Sequence, residues 1–430
     1  MNEPKPKVSI PTMKKELQDI LDKKKIKGKV IRSAIGPRVT RFYISLEPGV
    51  SVKKVELCAE EIAISFNVSN VRILAPIPGT KFVGVEIPNG HDEIIDFRDL
   101  WEEGGEKRMV IPLVLGKEFS GKKVVIDFAQ APQIMMAGRD VSELSMGLNA
   151  MVMSLVHHFS PENLNLVLFH PQRNVFDQYQ RIPHIQMPVI HEAAQMIAEL
   201  HKAAVEIDRR YEILRSARVK TLREYNELKT VASTPLSAHM PYMVLLIGEI
   251  AELQKDRSWY NAETDICRIA QLGRAAGVHL AVATQYPAST VISGVIKANL
   301  PTRIAFRVNN TNESRLILDS SGAEKLLGGG DMLVMSLDMK TVRAQCASFQ
   351  ESDKILDALS RMVQYLRPDD DISFKKALEI IFIERKISGA FLQSRLRLSY
   401  NGAAKIMDRL EERGIIGPKV TGSSLREILV

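Results

Sequence analysis

The chain has 430 residues, of which 45% are hydrophobic and 25% are charged, a composition typical of globular proteins with room for two to four domains. Its net charge of +7 is consistent with a polyanionic partner and equally with a solvated basic surface. Three scattered cysteines, Cys58, Cys267 and Cys346, indicate neither a disulfide framework nor a zinc site, which suits a reducing cytosol. Because no apolar run reaches the ~18 residues of a membrane span and the charged start does not resemble a signal peptide, we expect a soluble, cytoplasmic protein.

The first part of the chain predicts a small α+β domain. Residues 1–27 contain a lysine-rich lead-in helix, and residues 28–100 form the domain itself. Apolar and polar residues alternate on both sides of a Gly36-Pro37 turn, which is typical of two half-buried strands. A stretch with helical spacing follows, and then further strands broken at Pro78-Gly79.

Residues 101–365 alternate short apolar strands with longer helices. The predicted strands are Gln133–Ala137, Leu164–Phe169, Met243–Ile247, His279–Ala283 and Arg303–Val308. The predicted helices fall at about 143–157, 190–217, 261–276 and 290–298. This alternation predicts an open, mostly parallel sheet covered on both faces, in which ligands bind at the carboxyl ends of the strands. The residues expected at that edge are Asp140, His170, Gly248 and Thr284.

The C-terminal part predicts a winged helix-turn-helix. A charged, proline-bearing linker at 366–372 separates residues 373–430 from the rest of the chain. Three amphipathic helices with short joins are followed by a turn and a possible strand at Leu425–Val430. Residues 373–430 carry eleven Lys or Arg and six Asp or Glu, a net charge of +5, so this part is more basic than the chain as a whole.

Long phrases spread along the chain resemble those of one protein family. They include GPRVTRF, VGVEIPN, LGRAAGVHLAVATQ, GVIKANLPTRIAFRV, GAEKLLGGGDML and YNGAAKIMDRLEERGII, in that order. From about residue 28 to 430 the chain resembles the motor region and C-terminal γ domain of the FtsK/SpoIIIE DNA translocases. The resemblance implies an α/β, RecA-like P-loop NTPase fold at 101–365, with an N-terminal α+β subdomain at 28–100 and a winged-helix γ domain at 373–430. It also implies a hexameric, ATP-driven pump on double-stranded DNA.

The phosphate-binding loop of that family is altered in this chain. A loop of the form G-x-x-x-x-G-K-[ST] points backbone N–H groups at phosphate and supplies a lysine and a Mg²⁺-binding hydroxyl. Here Val141 and Glu143 replace glycines, and Leu144 replaces the lysine. The carboxylates of Asp140 and Glu143 would each repel phosphate by about 4 kcal/mol at ~4 Å and an effective dielectric of ~20, more than a helix dipole contributes. The candidates for a remaining nucleotide contact are Gly138, Arg139, Ser142 and Ser145.

The motifs on neighbouring strands are altered in the same region. Gly248 stands where the resemblance implies a Mg²⁺-supporting aspartate, and His170-Pro171-Gln172 replaces an Asp-Pro-Lys sequence. The candidates for a degenerate catalytic site are Glu249, Thr284 and Gln285, although Glu249 could equally cap a strand end. The candidates for arginines that reach a neighbouring subunit's phosphate are Arg274 and Arg315.

These substitutions converge on one pocket, whereas the rest of the chain keeps the family's phrases. We therefore expect ATP hydrolysis to be lost or weakened on a retained scaffold. ATP and Mg²⁺ are implied as cofactors by the resemblance alone, and the altered motifs argue against their binding. No set of metal ligands is predicted.

The third helix of the C-terminal part is expected to enter the major groove of DNA. Gly402 and Lys405 stand where the family usually carries arginines, so bidentate guanine contacts, each worth about 1–3 kcal/mol of discrimination, are weakened. Basic side chains that neutralise phosphates remain. We therefore expect the affinity for DNA to be retained and the preference among base sequences to be altered. The candidate DNA-binding residues are Lys386, Arg395, Arg397, Tyr400, Asn401, Lys405 and Arg409.

Three functions are compatible with the sequence. The first is a DNA-binding pseudo-ATPase, a paralogue or ring subunit that forms a homo- or hetero-hexamer with an FtsK-like translocase. The second is an active, ATP-driven translocase with a non-standard nucleotide site. The third is an assembly scaffold that does not bind DNA.

Overall fold

The computed structural model describes residues 9–68, 70–77, 80–89, 94–102, 109–131, 133–231, 239–349, 365, 372–384, 386–396, 398–418 and 425–430. The predicted Pro78-Gly79 turn, Arg397 and most of the 366–372 linker lie outside these residues. Within the described ranges, no helix combines the length and the apolar character needed to cross a membrane.

The N-terminal domain is a four-stranded antiparallel sheet with three helices, in agreement with the α+β prediction. Its strands are β1 (Gly28–Ile35), β2 (Val39–Leu46), β3 (Arg72–Leu74) and β4 (Val83–Pro88), in the spatial order β1-β2-β4-β3. Its helices are α1 (Ile10–Lys23), α2 (Lys53–Glu56) and α3 (Ala59–Ser65). Ser9 caps α1 with its hydroxyl, and Leu17 and Leu21 of α1 pack in the same apolar cluster as Phe42 of β2. The lead-in helix is therefore part of this domain's core.

A nine-stranded sheet forms the centre of the domain predicted at 101–365, which is called the motor domain below after the family region it resembles. Its strands are β5 (Pro112–Glu118), β6 (Lys123–Asp127), β7 (Gln133–Ala137), β8 (Leu164–Phe169), β9 (Tyr242–Ile247), β10 (Val278–Thr284), β11 (Thr302–Ala305), β12 (Asp331–Met335) and β13 (Thr341–Cys346). They lie in the order β6-β5-β13-β12-β11-β7-β10-β9-β8. The strands from β11 to β8 pair in parallel, and the other four extend the sheet through antiparallel pairs.

The prediction of a mostly parallel sheet is therefore correct only for the half of the sheet that carries the candidate site. The antiparallel strands alternate with turns rather than with helices, so the strand-helix pattern did not reveal them. The predicted strand at Arg303–Val308 ends earlier, at Ala305. Beyond it, the Phe306 N–H donates to the carbonyl of Ala137 at 2.9 Å, which holds this segment beside the end of β7.

Helices cover both faces of the sheet. They are α4 (Phe97–Glu102), α5 (Val141–His158), α6 (Arg173–Phe176), α7 (Ala193–Ser216), α8 (Leu222–Val231), α9 (Ile250–Leu253), α10 (Trp259–Ala276), α11 (Gly294–Asn299) and α12 (Thr311–Leu318). Side chains alternate between the faces along β7, as the strand period requires. Met136 belongs to the apolar cluster that contains Leu148 of α5, whereas Met135 belongs to the cluster that contains Ile207 of α7 and Ile266 of α10.

The C-terminal domain contains the three predicted helices. They are α13 (Ile372–Glu384), α14 (Gly389–Leu396) and α15 (Tyr400–Glu412). Ser399 begins α15, because its hydroxyl accepts a hydrogen bond from the Gly402 N–H at 3.2 Å. In the described part of the predicted C-terminal strand, Ile428 forms an antiparallel bridge with Ile416.

A buried cluster of ion pairs joins the N-terminal domain to the motor domain. Glu86 of β4 accepts hydrogen bonds from Arg41 Nε of β2 at 2.9 Å and from Arg343 Nη1 of β13 at 2.5 Å, while Arg72 lies at 3.4 Å. Arg343 also donates to both carboxylate oxygens of Asp331 on β12, at 2.9 and 2.5 Å. All five side chains are buried. A buried charge needs an opposite charge beside it, and here residues of both domains supply these partners.

Candidate functional site

The carboxyl ends of β7, β10 and β9 bring the predicted site residues together. These three strands are neighbours in the sheet. The Gly138 N–H after β7 donates to the carbonyl of Thr284 at 3.2 Å, and the Thr284 hydroxyl donates to Glu249 Oε1 at 2.6 Å. Gly138, Thr284 and Glu249 therefore lie together at one edge of the sheet, as expected for residues at the carboxyl ends of neighbouring parallel strands.

The segment at the position of the family's phosphate loop is mostly helix. Helix α5 begins at Val141, so five of the eight loop positions, from Val141 to Ser145, are helical. Asp140 caps this helix, accepting from the backbone N–H of Ser142 at 2.9 Å and from its hydroxyl at 2.8 Å. These two hydrogen bonds lower the pKa of Asp140. The Ser145 hydroxyl donates to the carbonyl of Val141 at 2.7 Å, within the helix.

The two residues that replace the last glycine and the lysine of the loop are both buried. Leu144 is only 3% exposed and belongs to the main apolar cluster of the motor domain. Glu143 is only 2% exposed, and burial raises its pKa although nearby N–H groups and Arg307 oppose the shift. Position 138 retains the glycine of the family's motif. Packing requires a glycine here, because a Cβ atom would lie 2.7 Å from Cβ of Phe306.

Glu249 follows β9, hydrogen-bonds to residues at the end of β10 and caps helix α9. Its carboxylate accepts from the Thr284 hydroxyl, from the Gln285 N–H at 2.9 Å and from the Ala251 N–H at 3.0 Å, and it caps α9. The side chain is buried, which raises its pKa while these hydrogen bonds oppose the shift. The three bonds support the capping role that the sequence left open for Glu249.

His170 fills the space beside Gly248. A Cβ atom at position 248 would lie 2.3 Å from Cδ2 of His170, so a side chain at this position requires the histidine to move. His170 is buried and its Nδ1 accepts from the Gln172 N–H at 3.0 Å. Burial lowers its pKa to about 4, so the imidazole is neutral near pH 7. An aspartate for Mg²⁺ at position 248 does not fit this arrangement.

Gly248→Ala is expected to destabilise the protein by about 1–3 kcal/mol, because the new methyl group overpacks against His170. In the double variant with His170→Ala the clash is relieved. The change in the free energy of unfolding of the double variant should therefore differ from the sum of the two single changes by about 0.5–3 kcal/mol. Urea unfolding of the wild type, both single variants and the double variant measures this coupling. Gly294→Ala is the matched control, since a Cβ atom there meets nothing within 4 Å. Additive effects at 170 and 248 would contradict the prediction.

The candidate arginines are exposed, and Arg274 lies at the opposite edge of the sheet, beside the amino ends of β7 and β10. Arg139 is exposed, and its Nη1 is 3.4 Å from Oδ1 of Asn309. Arg274, on α10, donates from Nε to the carbonyl of Ala129 at 3.0 Å, and Arg315 is exposed on α12. Their surface positions are compatible with the predicted contact to another subunit, which stays a prediction.

The described residues do not fit ATP and Mg²⁺. No lysine stands at position 144, the loop that would surround phosphate is helical, and a side chain at 248 meets His170. Across the described ranges, no group of three or more His, Cys, Asp or Glu side chains could hold a metal ion. Glu249, Thr284 and Gln285 therefore lie together without a lysine at position 144 or an aspartate at position 248.

The sequence did not single out the residues that now surround Glu143. They are Arg307 and the three consecutive glycines Gly328, Gly329 and Gly330, whose φ values are all positive. The run of three glycines before β12 was the available signal, because it permits a left-handed backbone that other residues rarely adopt.

The winged-helix domain exposes most of its predicted DNA-binding residues. Tyr400 at the start of α15 is 75% exposed, and Asn401 and Lys405 are exposed on the same helix. Lys386 and Arg395, which precede α15, are also exposed. Arg409 has a structural contact, because its guanidinium lies 4.2 Å from the ring centroid of Phe374. Its predicted contact with phosphate stays a prediction.

Three regions of the chain match described protein domains. Residues 2–89 match the FtsK alpha domain, residues 102–289 the FtsK/SpoIIIE family, and residues 368–430 the FtsK gamma domain. The chain is 35% identical to DNA translocase FtsK of Treponema pallidum over 426 residues, which is 92% of this chain and 52% of that protein. It is 36% identical to DNA translocase SftA of Bacillus subtilis, over 94% of this chain and 44% of that protein. The chain thus spans about half the length of the curated relatives it matches.

Two solved structures share the fold. The pCW3 conjugation coupling protein TcpA, in its monomer form with ATPγS, superposes with a TM-score of 0.58 at 20% identity, covering 82% of this chain and 99% of that one. The cytoplasmic domain of the type VII secretion ATPase EccC from Thermomonospora curvata gives 0.53 at 23% identity, covering 64% of this chain and 34% of that one. These neighbours confirm the RecA-like α/β fold of the motor domain. Fold, domain matches and relatives agree, and the chain belongs to the FtsK/SpoIIIE family.

Proposed function

We propose that this protein binds double-stranded DNA through its C-terminal winged helix and does not hydrolyse ATP. It would act in the cytoplasm as a pseudo-ATPase subunit, in a homo- or hetero-hexamer with an FtsK-like translocase. The observation that carries the proposal is the start of α5 at Val141, which turns the phosphate loop into helix and places Leu144 in the apolar core.

The surface of the winged helix supports the DNA-binding part of the proposal. Ala403, Ile406 and Leu410 of α15 are buried, whereas Tyr400 and Lys405 of the same helix are exposed. The domain's net charge of +5 favours a polyanion, and phosphate contacts supply most of the affinity for DNA. Gly402 offers no side chain for reading bases, so we expect weak discrimination between sequences.

The proposed function is tested by ATP hydrolysis and DNA binding measured on the same purified protein. We expect no turnover above background with double-stranded DNA present, and binding that weakens steeply with salt. Lys405→Ala should reduce the slope of log affinity against log salt by about 1, as expected for one lost phosphate contact. Lys202→Ala, at an exposed position of α7, is the matched control and should leave the slope unchanged.

Two outcomes would replace this proposal with one of the alternatives. DNA-stimulated turnover that Glu249→Gln abolishes would identify an active translocase with a non-standard site. If the measured association with DNA did not depend on salt and were unchanged by Lys405→Glu, it would not come from the basic surface of the winged helix. That result would favour an assembly scaffold that does not use DNA.

A further inference from the structure

The connection between α1 and β1 concentrates positive charge. From residue 23 to residue 46 the chain has eight Lys or Arg and no Asp or Glu. Five of the eight lie within seven residues and are called the lysine turn below: Lys23, Lys24, Lys25, Lys27 and Lys29. All five residues are exposed. The turn therefore presents a dense positive surface to solvent.

The backbone of the lysine turn is fixed to the core of the N-terminal domain. Ile26, in the middle of the turn, is 3% exposed and packs in the same apolar cluster as Leu21 of α1. The Ile26 N–H donates to the carbonyl of Leu21 at 2.9 Å. One residue later, the carbonyl of Lys27 accepts from the Glu47 N–H at 3.0 Å. Because the backbone is already ordered, a ligand that binds the lysines does not have to order it.

Acidic side chains compensate little of the charge on the lysine turn. Lys24 pairs with Glu61 of α3, and both side chains are about half exposed. The other four lysines form no ion pair with another described residue, although Asp22 precedes them directly and Glu47 lies beside Lys27. By contrast, three exposed lysines of the motor domain each pair with an acid two or three positions away, namely Lys202, Lys255 and Lys340.

The charge density of the lysine turn suits that of duplex DNA. Six residues separate Lys23 from Lys29, so their Cα atoms are at most about 21 Å apart. Duplex DNA carries one phosphate charge per ~1.7 Å of its axis, which gives on the order of 12 charges over that length. Uncompensated lysines that repel one another in the free protein gain favourable partners on such a polyanion.

The surroundings of the turn favour DNA over an anionic membrane. Binding to a bilayer scales with the apolar area that inserts as well as with charge. Leu57 and Ile64, exposed apolar residues near the Lys24–Glu61 ion pair, flank Glu60 and Glu61 along the chain. These exposed acids would be repelled by an anionic bilayer that received the two apolar side chains. Phosphate contacts need no apolar insertion, so a duplex can use the lysines alone.

We propose that the lysine turn is a second contact surface for double-stranded DNA, which binds the phosphate backbone and does not read base sequence. This contact rests on the proposed function for its choice of partner, and the winged helix takes no part in it. Lysine acts as a point charge without the planar fork of arginine, so the contact adds affinity and salt dependence rather than specificity.

The test measures the affinity of the full chain for a duplex over a salt series. In the triple variant Lys23→Gln, Lys27→Gln and Lys29→Gln, the slope of log affinity against log salt should become less steep by about 2–3, since each phosphate contact contributes about 0.9. The control variant, Lys202→Gln, Lys255→Gln and Lys340→Gln, removes the same charge and should keep the wild-type slope. Equal changes in both triple variants would reflect net charge alone and overturn the proposal.

Lys405→Ala separates this contact from the winged helix. A wild-type slope in the lysine-turn variant, together with a reduced slope in Lys405→Ala, would overturn the second contact and leave the proposed function standing. A reduced slope in the lysine-turn variant, with Lys405→Ala unchanged, would support the second contact and overturn the role of the winged helix. Wild-type slopes in both variants would overturn both.

Chemical acetylation of lysines, followed by mass spectrometry, tests the wild-type protein if the triple variant does not fold. At low salt, a duplex should abolish the reactivity of Lys27 and Lys29 and leave that of Lys202 and Lys255 unchanged. Unchanged reactivity of Lys27 and Lys29 would contradict the proposal. Protection by vesicles of phosphatidylglycerol and phosphatidylcholine, with none by DNA, would assign the surface to a membrane and overturn it.

Discussion

Leu144→Lys is expected to destabilise the motor domain by roughly 3–5 kcal/mol and not to create a nucleotide site. Leu144 is 3% exposed and packs in the main apolar cluster, so a lysine there would bury an uncompensated charge. The substitution restores the residue type of the phosphate loop but leaves its backbone helical from Val141 onwards. Position 144 would therefore carry the missing charge without the loop geometry that uses it.

Urea unfolding measures the loss of stability, and unfolding with and without ATP and Mg²⁺ measures nucleotide binding. Leu144→Met is the control for volume and should cost less than about 1.5 kcal/mol. We expect no stabilisation of Leu144→Lys by nucleotide. A Leu144→Lys protein as stable as the wild type, with a midpoint that ATP raises, would show that the loop can reopen.

Local patterns predicted the framework of the site because they depend on neighbours in the chain. The strands that end at Ala137 and Phe169 were located to the residue, since continuous apolar runs with turns at both ends are typical of buried parallel strands. Strands β7, β9 and β10 place Gly138, Glu249 and Thr284 at one edge, as expected from parallel pairing. Their contact followed from topology and did not depend on side-chain detail.

The state of the phosphate loop could not be predicted in the same way. The sequence shows that Glu143 and Leu144 replace a glycine and a lysine, but not where their side chains go. The structure places Glu143 beside Gly328, which is far away in the chain, and Leu144 in the apolar core. Electrostatic reasoning from sequence counted Glu143 as a repulsive charge facing phosphate, whereas the structure buries its side chain beside Gly328.

The ion cluster between the domains could not be predicted from the sequence either. Glu86 and Arg343 are 257 positions apart, and each lies in a strand whose local pattern gives no sign of a partner. Charged residues inside strands usually indicate a solvated face. Here they face each other across the boundary between two domains, where only the tertiary fold brings them together.

The stability of the protein is expected to fall between about pH 5 and pH 2 as Glu86 becomes protonated. Burial alone would raise the pKa of Glu86, but Arg343, Arg72 and Arg41 lower it to about 2. Because the folded-state pKa lies below that of the unfolded chain, the stabilisation is present above pH ~5 and is lost as pH falls through the folded pKa. The difference corresponds to an effect on the order of 3 kcal/mol.

Glu86→Gln separates this contribution from that of other acids in the chain. At pH 7 the variant should lose roughly 3–5 kcal/mol, because the buried arginines lose a charged partner. Towards pH 2 its free energy of unfolding should converge with that of the wild type, since the wild-type carboxyl is then neutral as well. Urea unfolding followed by circular dichroism over about pH 2.5–7 gives both values, with Glu60→Gln, at an exposed position of α3, as the control. Parallel pH profiles for the wild type and Glu86→Gln would show that the charge on Glu86 does not couple the two domains.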